Sequence, residues 1–171
     1  GARAAVTASR SGKIGIAGTE GTLRSGAYQR AIRALNPEAE LWATPWPLLV
    51  PMAEEGWINH PVTRLTLETY LRPFVDAQVD TLVLGCTHYP VFKDVIQEVL
   101  QEKFAGYSLS LVDSAEAVTL ELSSLLQAKQ LRAPERAGRR SFFCTDAEAR
   151  FLRVGRAFFP DDLSTLQTVD L

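Results

Sequence analysis

The 171-residue sequence has only two cysteines, Cys86 and Cys144. Two cysteines are too few for the disulfide framework that holds small secreted scaffolds together. The first thirteen residues, GARAAVTASRSGK, also lack the apolar core of a signal peptide. We therefore expect a reducing, cytoplasmic setting, with further chain upstream because the sequence opens on Gly1 and 2–6 already has helical character.

An excess of charge of either sign and a long apolar run are also missing. The 18 Lys and Arg nearly balance the 20 Asp and Glu, for a formal net charge of -2. This balance gives no positive field of the kind that most nucleic-acid-binding domains carry. The longest apolar run falls far short of the roughly 20 residues that span a bilayer. Neither nucleic acid nor a membrane is expected as a partner.

Apolar β-type segments alternate with amphipathic helical segments along most of the chain. Strands are expected at 13–18, 40–44, 80–85, 108–112, 141–144 and 166–169. This alternation is typical of a parallel sheet flanked by helices, which is an α/β fold. The strand at 80–85, DTLVLG, is apolar without alternation after Asp80 and Thr81, so it is predicted to be central and covered on both faces.

The helices are predicted mainly from their capping residues. Helix starts are expected at Ser25, at His60 before Pro61, at Asp113 with Glu116, and at Thr145 with Glu148. The first of these helices is predicted to run to Leu35 after a loop at 19–24, with Tyr28, Ile32 and Leu35 on one face. The helix after Asp113 has an apolar stripe without an evident partner, formed by Val118, Leu122, Leu125 and Leu126. Residues 131–140 are polar, basic and broken by proline and glycine, which indicates a linker.

Two loops lie where ligands bind in an open parallel sheet, at the carboxyl ends of strands. The loop 18–22, GTEGT, offers backbone N–H groups and the hydroxyls of Thr19 and Thr22 to an anion such as a carboxylate. Its glycines do not follow the dinucleotide-binding pattern, and a simple turn is the alternative.

The second loop, GCTHYP at 85–90, places the Cys86 thiol, the Thr87 hydroxyl and the His88 imidazole between a buried strand and a helix. A thiol near a helix N-terminus and beside a histidine gains thiolate character at neutral pH. The alternative is a Cys86 that packs as a small apolar side chain beside a hydrogen-bonded His88. These residues by themselves leave both interpretations open.

Other titratable residues carry weaker signals. Cys144 lies in an apolar strand with no histidine nearby in sequence, which favours core packing. His60 precedes a proline at a helix start, which favours capping or surface placement. Glu54 and Glu55 follow an apolar stretch broken by prolines, so a pocket role stays open. The basic residues of 132–140 lack interleaved aromatics, which favours a solvated linker over a phosphate site.

Several of these segments together resemble the glutamate racemases of bacteria, in the aspartate/glutamate racemase family. The resemblance lies in LGCTHYP at 84–90, GTEGT at 18–22, LVP at 49–51 with Glu54 and Gly56, and the opening GARAA. It runs from Gly1 nearly to Leu171. The family interconverts L- and D-glutamate without pyridoxal phosphate or metal, using two cysteines on opposite faces of the substrate, and supplies D-glutamate for peptidoglycan.

The resemblance implies a role for each matching residue. Cys86 corresponds to the second cysteine, which acts on the L enantiomer, and His88 assists its proton transfer. The implied substrate-binding residues are Thr87, Thr19, Thr22 and Glu54. No cofactor or metal is implied, and glutamate is the implied small-molecule partner.

The sequence departs from the family because the Asp-Ser-Gly, Cys-Asn-Thr and Pro-Tyr-Gly elements of its first third are absent. We therefore expect a racemase chain that lacks its N-terminal part and is inactive or impaired alone, and Cys144 does not replace the first cysteine. Residues 1–112 would form a complete α/β domain carrying Cys86, and 113–171 would complete the other domain. The exposed stripe then predicts a homo-oligomer or contact with the missing segment. The alternatives are an aspartate racemase or arylmalonate decarboxylase-like relative, and a non-catalytic carboxylate-binding fragment.

Overall fold

The computed structural model describes residues 1–134, 141–159, 163 and 166–170. Helices and strands alternate along the chain. In order they are α1 (Ala2–Ala8), β1 (Lys13–Gly18), α2 (Glu20–Ser25), α3 (Ala27–Leu35), β2 (Glu40–Pro45), α4 (Leu49–Glu54), α5 (Pro61–Asp76), β3 (Thr81–Gly85), a 3-10 helix (Tyr89–Phe92), α6 (Lys93–Lys103), β4 (Ser110–Asp113), α7 (Ser114–Ala128), β5 (Phe142–Cys144), α8 (Glu148–Phe158) and β6 (Leu166–Thr168). Of the described helices, none has the length and apolar character required to cross a membrane.

Four strands form a parallel sheet in the order β2-β1-β3-β4. The two central strands pair in register, with Ile14 opposite Thr81 and Gly18 opposite Gly85. β5 and β6 form a separate parallel pair, in which Cys144 lies opposite Thr168. The predicted α/β fold with a parallel sheet flanked by helices is therefore confirmed.

Helices cover both faces of the four-stranded sheet, which explains why β3 reads as continuously apolar. One face packs against α5 and α6, with Leu67, Phe74 and Ile96 fully buried. The other face packs against α1 and α3, with Ala5 and Ile32 fully buried. A parallel strand in this position has no solvent-facing side, so every side chain from Thr81 to Leu84 is buried.

Close packing of α5 on β1 depends on a glycine in the strand. A Cβ atom on Gly15 would stand 2.8 Å from Cδ1 of Phe74 and 2.9 Å from Cδ1 of Leu82. Both of those side chains are themselves buried in the core. Any larger residue would push the helix away from the sheet, because interiors at this packing density have no spare volume.

Two of the predicted helix starts are confirmed, because His60 and Asp113 are the N-caps of α5 and α7. His60 Nδ1 accepts from the Val62 N–H at 3.2 Å, and Pro61 occupies the first turn of α5. Asp113 caps α7 by accepting from the Ala115 N–H at 2.8 Å. The Glu116 carboxylate accepts from Lys93 and not from the Asp113 N–H, so the reciprocal bond of a capping box does not form.

The loop predicted at 19–24 is wrong, because these residues form most of α2. Thr19 is the N-cap of this helix, and its hydroxyl accepts from the Thr22 N–H at 3.3 Å. Ser25 ends α2, and Gly26, at φ +62°, separates it from α3, although the Ser25 hydroxyl still accepts from the Ala27 N–H. The glycine-rich composition hid a helix that is stabilised by its cap and by packing of Leu23 on the core.

Two further predictions are wrong: the burial of Leu35 on α3 and the cap of α8. Leu35 is exposed, so the predicted face of α3 is buried only at Ile32 and partly at Tyr28. α8 begins after Ala147, which has φ +52° and makes no side-chain cap, so the predicted cap at Thr145 is wrong. The predicted linker has no regular structure at 131–134, and its remainder, 135–140, lies outside the described residues.

The apolar stripe of α7 is exposed in the described structure. Val118 is 58% exposed, Leu122 51% and Leu125 49%, and Leu126 is half-buried. Val118, Leu122 and Leu125 are four and three residues apart and lie on one face of the helix. In the part of the chain that the structure describes, these three side chains are therefore not covered by the four-stranded sheet.

Asp80 fastens the turn between α1 and β1 to the start of β3. Its carboxylate accepts from the Ser9 hydroxyl at 2.7 Å, from the Arg10 N–H at 2.8 Å, and from the Ser11 N–H and hydroxyl at 2.6 and 2.8 Å. Burial alone raises the pKa of Asp80, but these hydrogen bonds outweigh burial and hold the pKa well below its usual range.

We expect Asp80→Asn to lower the free energy of unfolding by about 1–2 kcal/mol at pH 7, since hydrogen bonds to a partly solvated carboxylate are lost. A depressed pKa stabilises the fold above the ordinary carboxyl pKa of 3.8, and this contribution fades as the pH falls below it. The difference from wild type should therefore shrink at pH 3 in urea unfolding. Asp76→Asn, at an exposed carboxylate, is the control. An equal difference at both pH values would contradict this assignment.

Candidate active site

A cavity of about 330 Å³ opens at the carboxyl ends of β3 and β4. The ends of β3 and β4 supply most of its wall, and α3 and α8 supply one aromatic side chain each. Its lining residues are Tyr28, Leu84, Gly85, Cys86, Thr87, Pro90, Asp113, Ser114, Ala115 and Phe158. The position agrees with the rule that ligands bind beyond the carboxyl ends of parallel strands.

Cys86 is the first residue after β3, and its side chain is partly buried at the cavity wall. The Nδ1 atom of His88 lies 4.0 Å from the Cys86 Sγ atom. A short 3-10 helix begins directly after His88. The loop therefore turns within two residues and brings the imidazole back to the thiol.

Tyr89 anchors this loop in the core. It is fully buried, and its hydroxyl donates to the Trp46 carbonyl at 2.8 Å. Burial raises the pKa of the Tyr89 hydroxyl, and the neighbouring Cys86 raises this pKa further. Tyr89 therefore stays protonated as a donor, and it holds the Cys86 loop against the segment between β2 and α4.

Glu54 approaches the same loop from α4. Its Oε1 atom lies 3.5 Å from Nε2 of His88, whereas Cys86 lies near Nδ1, the other ring nitrogen. The imidazole of His88 therefore contacts a carboxylate at one nitrogen and a thiol at the other, and of these three residues Cys86 lines the cavity. When Glu54 accepts from a protonated Nε2, the unprotonated Nδ1 faces the thiol and can take its proton.

Thr19 and Thr22 lie one strand away, at the carboxyl end of β1. Their hydroxyl oxygens are 3.0 Å apart, and Thr19 also caps α2. Neither belongs to the residues that line the cavity, whereas Thr87 does and has an exposed side chain. The methyl group of Thr22 is nevertheless 3.7 Å from where a Cβ on Gly85 would stand. The structure thus places both threonines beside the cavity and not in its wall.

Several cavity residues were not singled out as functional from the sequence. The hydroxyls of Tyr28 and Ser114 are 2.7 Å apart and join α3 to the start of α7. Asp113 is buried and lies 3.7 Å from Lys93. Asp113 directly follows a predicted strand, where ligands bind in a parallel sheet, so the sequence does contain a signal for it. Its capping pattern with Glu116 offered a structural explanation instead. No pattern in the sequence identifies Phe158 or Tyr28 as a residue of the cavity.

The remaining candidates lie elsewhere. His60 caps α5 and stacks on Trp57 with ring centroids 4.5 Å apart. Cys144 is buried in β5, with Sγ 3.8 Å from the Thr168 hydroxyl. Both positions agree with the structural interpretations given to them above. Within the described ranges, no group of three or more His, Cys, Asp or Glu side chains is placed to hold a metal ion.

Comparison with known proteins links this arrangement to racemases. Residues 1–122 match the family model described as Asp/Glu/Hydantoin racemase. The glutamate racemase of Syntrophus aciditrophicus is 45% identical over the whole chain, and so is that of Geobacter metallireducens. In both cases the chain spans 62% of the length of the relative.

Solved structures show the same likeness. A glutamate racemase isoform from Bacillus anthracis superposes with a TM-score of 0.87 at 29% identity, covering 99% of this chain and 62% of that one. The Francisella tularensis glutamate racemase in complex with D-glutamate superposes with a TM-score of 0.83 at 30% identity, over the same shares. With a family model that covers most of its length and close structural neighbours, this chain belongs to the Asp/Glu/Hydantoin racemase family.

Proposed function

We propose that this chain is the part of a glutamate racemase that removes and returns the α-proton of L-glutamate through Cys86. The observation that carries the proposal is the pair of contacts from Glu54 to His88 and from His88 to Cys86, with Cys86 in the wall of a cavity beyond the sheet. The curated relatives are named glutamate racemases, and a structural neighbour is described as a complex with D-glutamate. The proposal extends to a cytoplasmic enzyme that supplies D-glutamate for peptidoglycan.

The chemistry needs a base close to the α-carbon and donors for the carboxylates, because the α-proton of an amino acid is very weakly acidic. The Cys86 thiolate takes this proton, and the bonding electron pair stays on the substrate as a carbanion stabilised by its carboxylate. Return of a proton to the same face regenerates L-glutamate. Return to the opposite face, which the family assigns to its other cysteine, gives D-glutamate.

We assign the substrate contacts from their positions around the cavity. Thr87 is exposed at the wall beside Cys86 and is the nearest candidate for a carboxylate. Thr19 and Thr22 form a hydroxyl pair beside the cavity and are proposed to hold the other carboxylate when substrate is bound. Glu54 lies outside the cavity lining and is proposed to act through its contact with His88.

Protection of Cys86 from alkylation tests the substrate class. We expect L-glutamate to slow iodoacetamide labelling of Cys86 at least severalfold, with weaker protection by L-aspartate and none by an arylmalonate. Labelling of buried Cys144, followed on its own peptide, should not respond and serves as the control. Stronger protection by aspartate would favour an aspartate racemase, and protection by an arylmalonate would favour a decarboxylase. Equal protection by unrelated dicarboxylates would favour a carboxylate-binding fragment.

We also propose that residues 1–112 form one complete α/β domain and that 113–171 belong to a second. Three observations support the division. The four-stranded sheet ends with β4, the β5–β6 pair is separate from it, and the apolar stripe of α7 is exposed. In a whole racemase the stripe would pack on the rest of the second domain; in this chain alone it would pair copies of the chain.

A further inference from the structure

The carboxylate of Glu54 has a partner on each of its two oxygens. Oε1 faces Nε2 of His88 at 3.5 Å, and Oε2 accepts a hydrogen bond from the guanidinium of Arg150. Arg150 lies in the first turn of α8, far from Glu54 in sequence. The series of contacts from Cys86 through His88 to Glu54 therefore continues to the guanidinium of Arg150 on α8.

A second ion pair joins the same two segments. Arg153 lies 3.4 Å from Oε1 of Glu55. Arg150 and Arg153 are three residues apart and share one face of α8, opposite the adjacent carboxylates of Glu54 and Glu55. The two pairs have similar exposure on the arginine side, 58% and 51%, but only Arg150 contacts the carboxylate that faces His88.

We propose that Arg150 is a positioning residue that holds Glu54 against His88 and thereby sets the reactivity of Cys86. The proposal rests on the role proposed above for Cys86 and His88. It makes α8, in the C-terminal part of the chain, a component that controls a thiol located at the end of β3.

The physical reason lies in the freedom of a glutamate side chain. A partly solvated carboxylate with one weak partner rotates among several rotamers, whereas a charge-assisted hydrogen bond from a guanidinium restricts it. With Oε2 bound by Arg150, Oε1 stays directed at Nε2 of His88. A proton held on Nε2 leaves the Nδ1 lone pair facing Cys86, as carboxylates do for histidines at other sites. Loss of Arg150 releases this orientation and slows deprotonation of the thiol.

Other polar groups around Cys86 come from different elements and stay unchanged in the test. Tyr89 is adjacent and buried, Tyr28 and Asp113 line the same cavity, and Lys93 lies beside Asp113. None of these is in the described contacts of Arg150. Phe158 lies on the same helix as Arg150 and also lines the cavity, so Arg153→Gln on that helix is the control for a movement of α8. A change in Cys86 reactivity that Arg150→Gln causes and Arg153→Gln does not is therefore assigned to Glu54 and His88.

The test is the rate of Cys86 alkylation by iodoacetamide at pH 7, resolved by peptide mass, without glutamate. We expect Arg150→Gln to slow labelling about three- to fivefold, the range of a partly exposed ion pair. Arg150→Lys should recover most of the rate because it keeps the charge. Arg153→Gln removes the neighbouring ion pair only and should stay at the wild-type rate. Cys144, in the same C-terminal part, reports any general loosening.

Two further measurements exclude a merely structural role. Glu54→Gln should slow labelling as Arg150→Gln does, and the double variant should be no slower than Glu54→Gln alone, because both act on one interaction. The chain has two histidines, so ring cross-peaks in NMR resolve them. The His88 peak should move in Arg150→Gln and not in Arg153→Gln, with His60 unmoved in both.

Several results would overturn the proposal. These are an unchanged or faster Cys86 rate in Arg150→Gln, an equal effect of Arg153→Gln, or additive losses in the double variant. Failure of glutamate to protect Cys86, with these variant effects intact, would instead count against the proposed substrate. The two claims therefore fail separately.

Discussion

Cys86→Ser abolishes deuterium incorporation at the α-carbon of L-glutamate, with an expected loss of at least about a thousandfold. A serine hydroxyl is a far weaker acid than a thiol, so it gives no comparable base at neutral pH. The substitution is nearly isosteric, and Cys86 is only partly buried at the cavity wall, so the fold should be retained. The measurement is NMR of glutamate incubated with the variant in heavy water.

Cys144→Ser is the matched control for this prediction. Cys144 is the other cysteine of the chain, and it is buried in β5 next to Thr168, outside the lining of the cavity. Exchange should continue at the wild-type rate in this variant. Equal loss in the two variants would mean that the chemistry has been assigned to the wrong thiol.

The isolated 171-residue chain is expected to self-associate through α7. Its exposed stripe presents Val118, Leu122 and Leu125, and burial of each side chain contributes roughly 1.5–3 kcal/mol. Contiguous apolar surface of this kind drives association in water. Sedimentation velocity should therefore show a mass above that of one chain.

Replacing both Leu122 and Leu125 by lysine should return the chain to a monomer, because two charges on the stripe oppose its burial. The control is Leu65→Lys, since Leu65 is 66% exposed on α5, away from this stripe, and its replacement should leave the association unchanged. A clean monomer of the wild-type chain would contradict the proposed division into domains.

Much of the fold follows from the sequence because its strands and helices have distinct periodicities. β1 and β3 are apolar runs bounded by turn residues, and α5 has proline in its first turn and a buried face of Leu67, Leu71 and Phe74. α2 was missed because Gly21 within it and Gly18 and Gly26 beside it favour turns, and its stability comes from the Thr19 cap and from tertiary packing of Leu23. The helix propensity of the residues does not include the contribution from tertiary packing.

The candidate site also contains residues that the sequence identifies and residues that it does not. Cys86, Thr87 and His88 are adjacent in sequence, so their loop could be identified directly. The contact between Glu54 and His88 depends on how α4 packs against the loop after β3, which no local pattern encodes. The same holds for Arg150, which reaches Glu54 only because α8 packs on α4. Long-range contacts between partly exposed side chains leave no periodic signal in either segment.

The role of Cys86 as the base is tested by α-proton exchange in heavy water, with L- and D-glutamate offered separately to the chain. We expect L-glutamate to exchange its α-proton for deuterium, and we expect this exchange to depend on Cys86. D-glutamate should exchange more slowly, because its α-proton points away from the face on which Cys86 acts. Faster exchange of D-glutamate, or exchange that persists in Cys86→Ser, would contradict the assignment of Cys86 as the base for the L enantiomer.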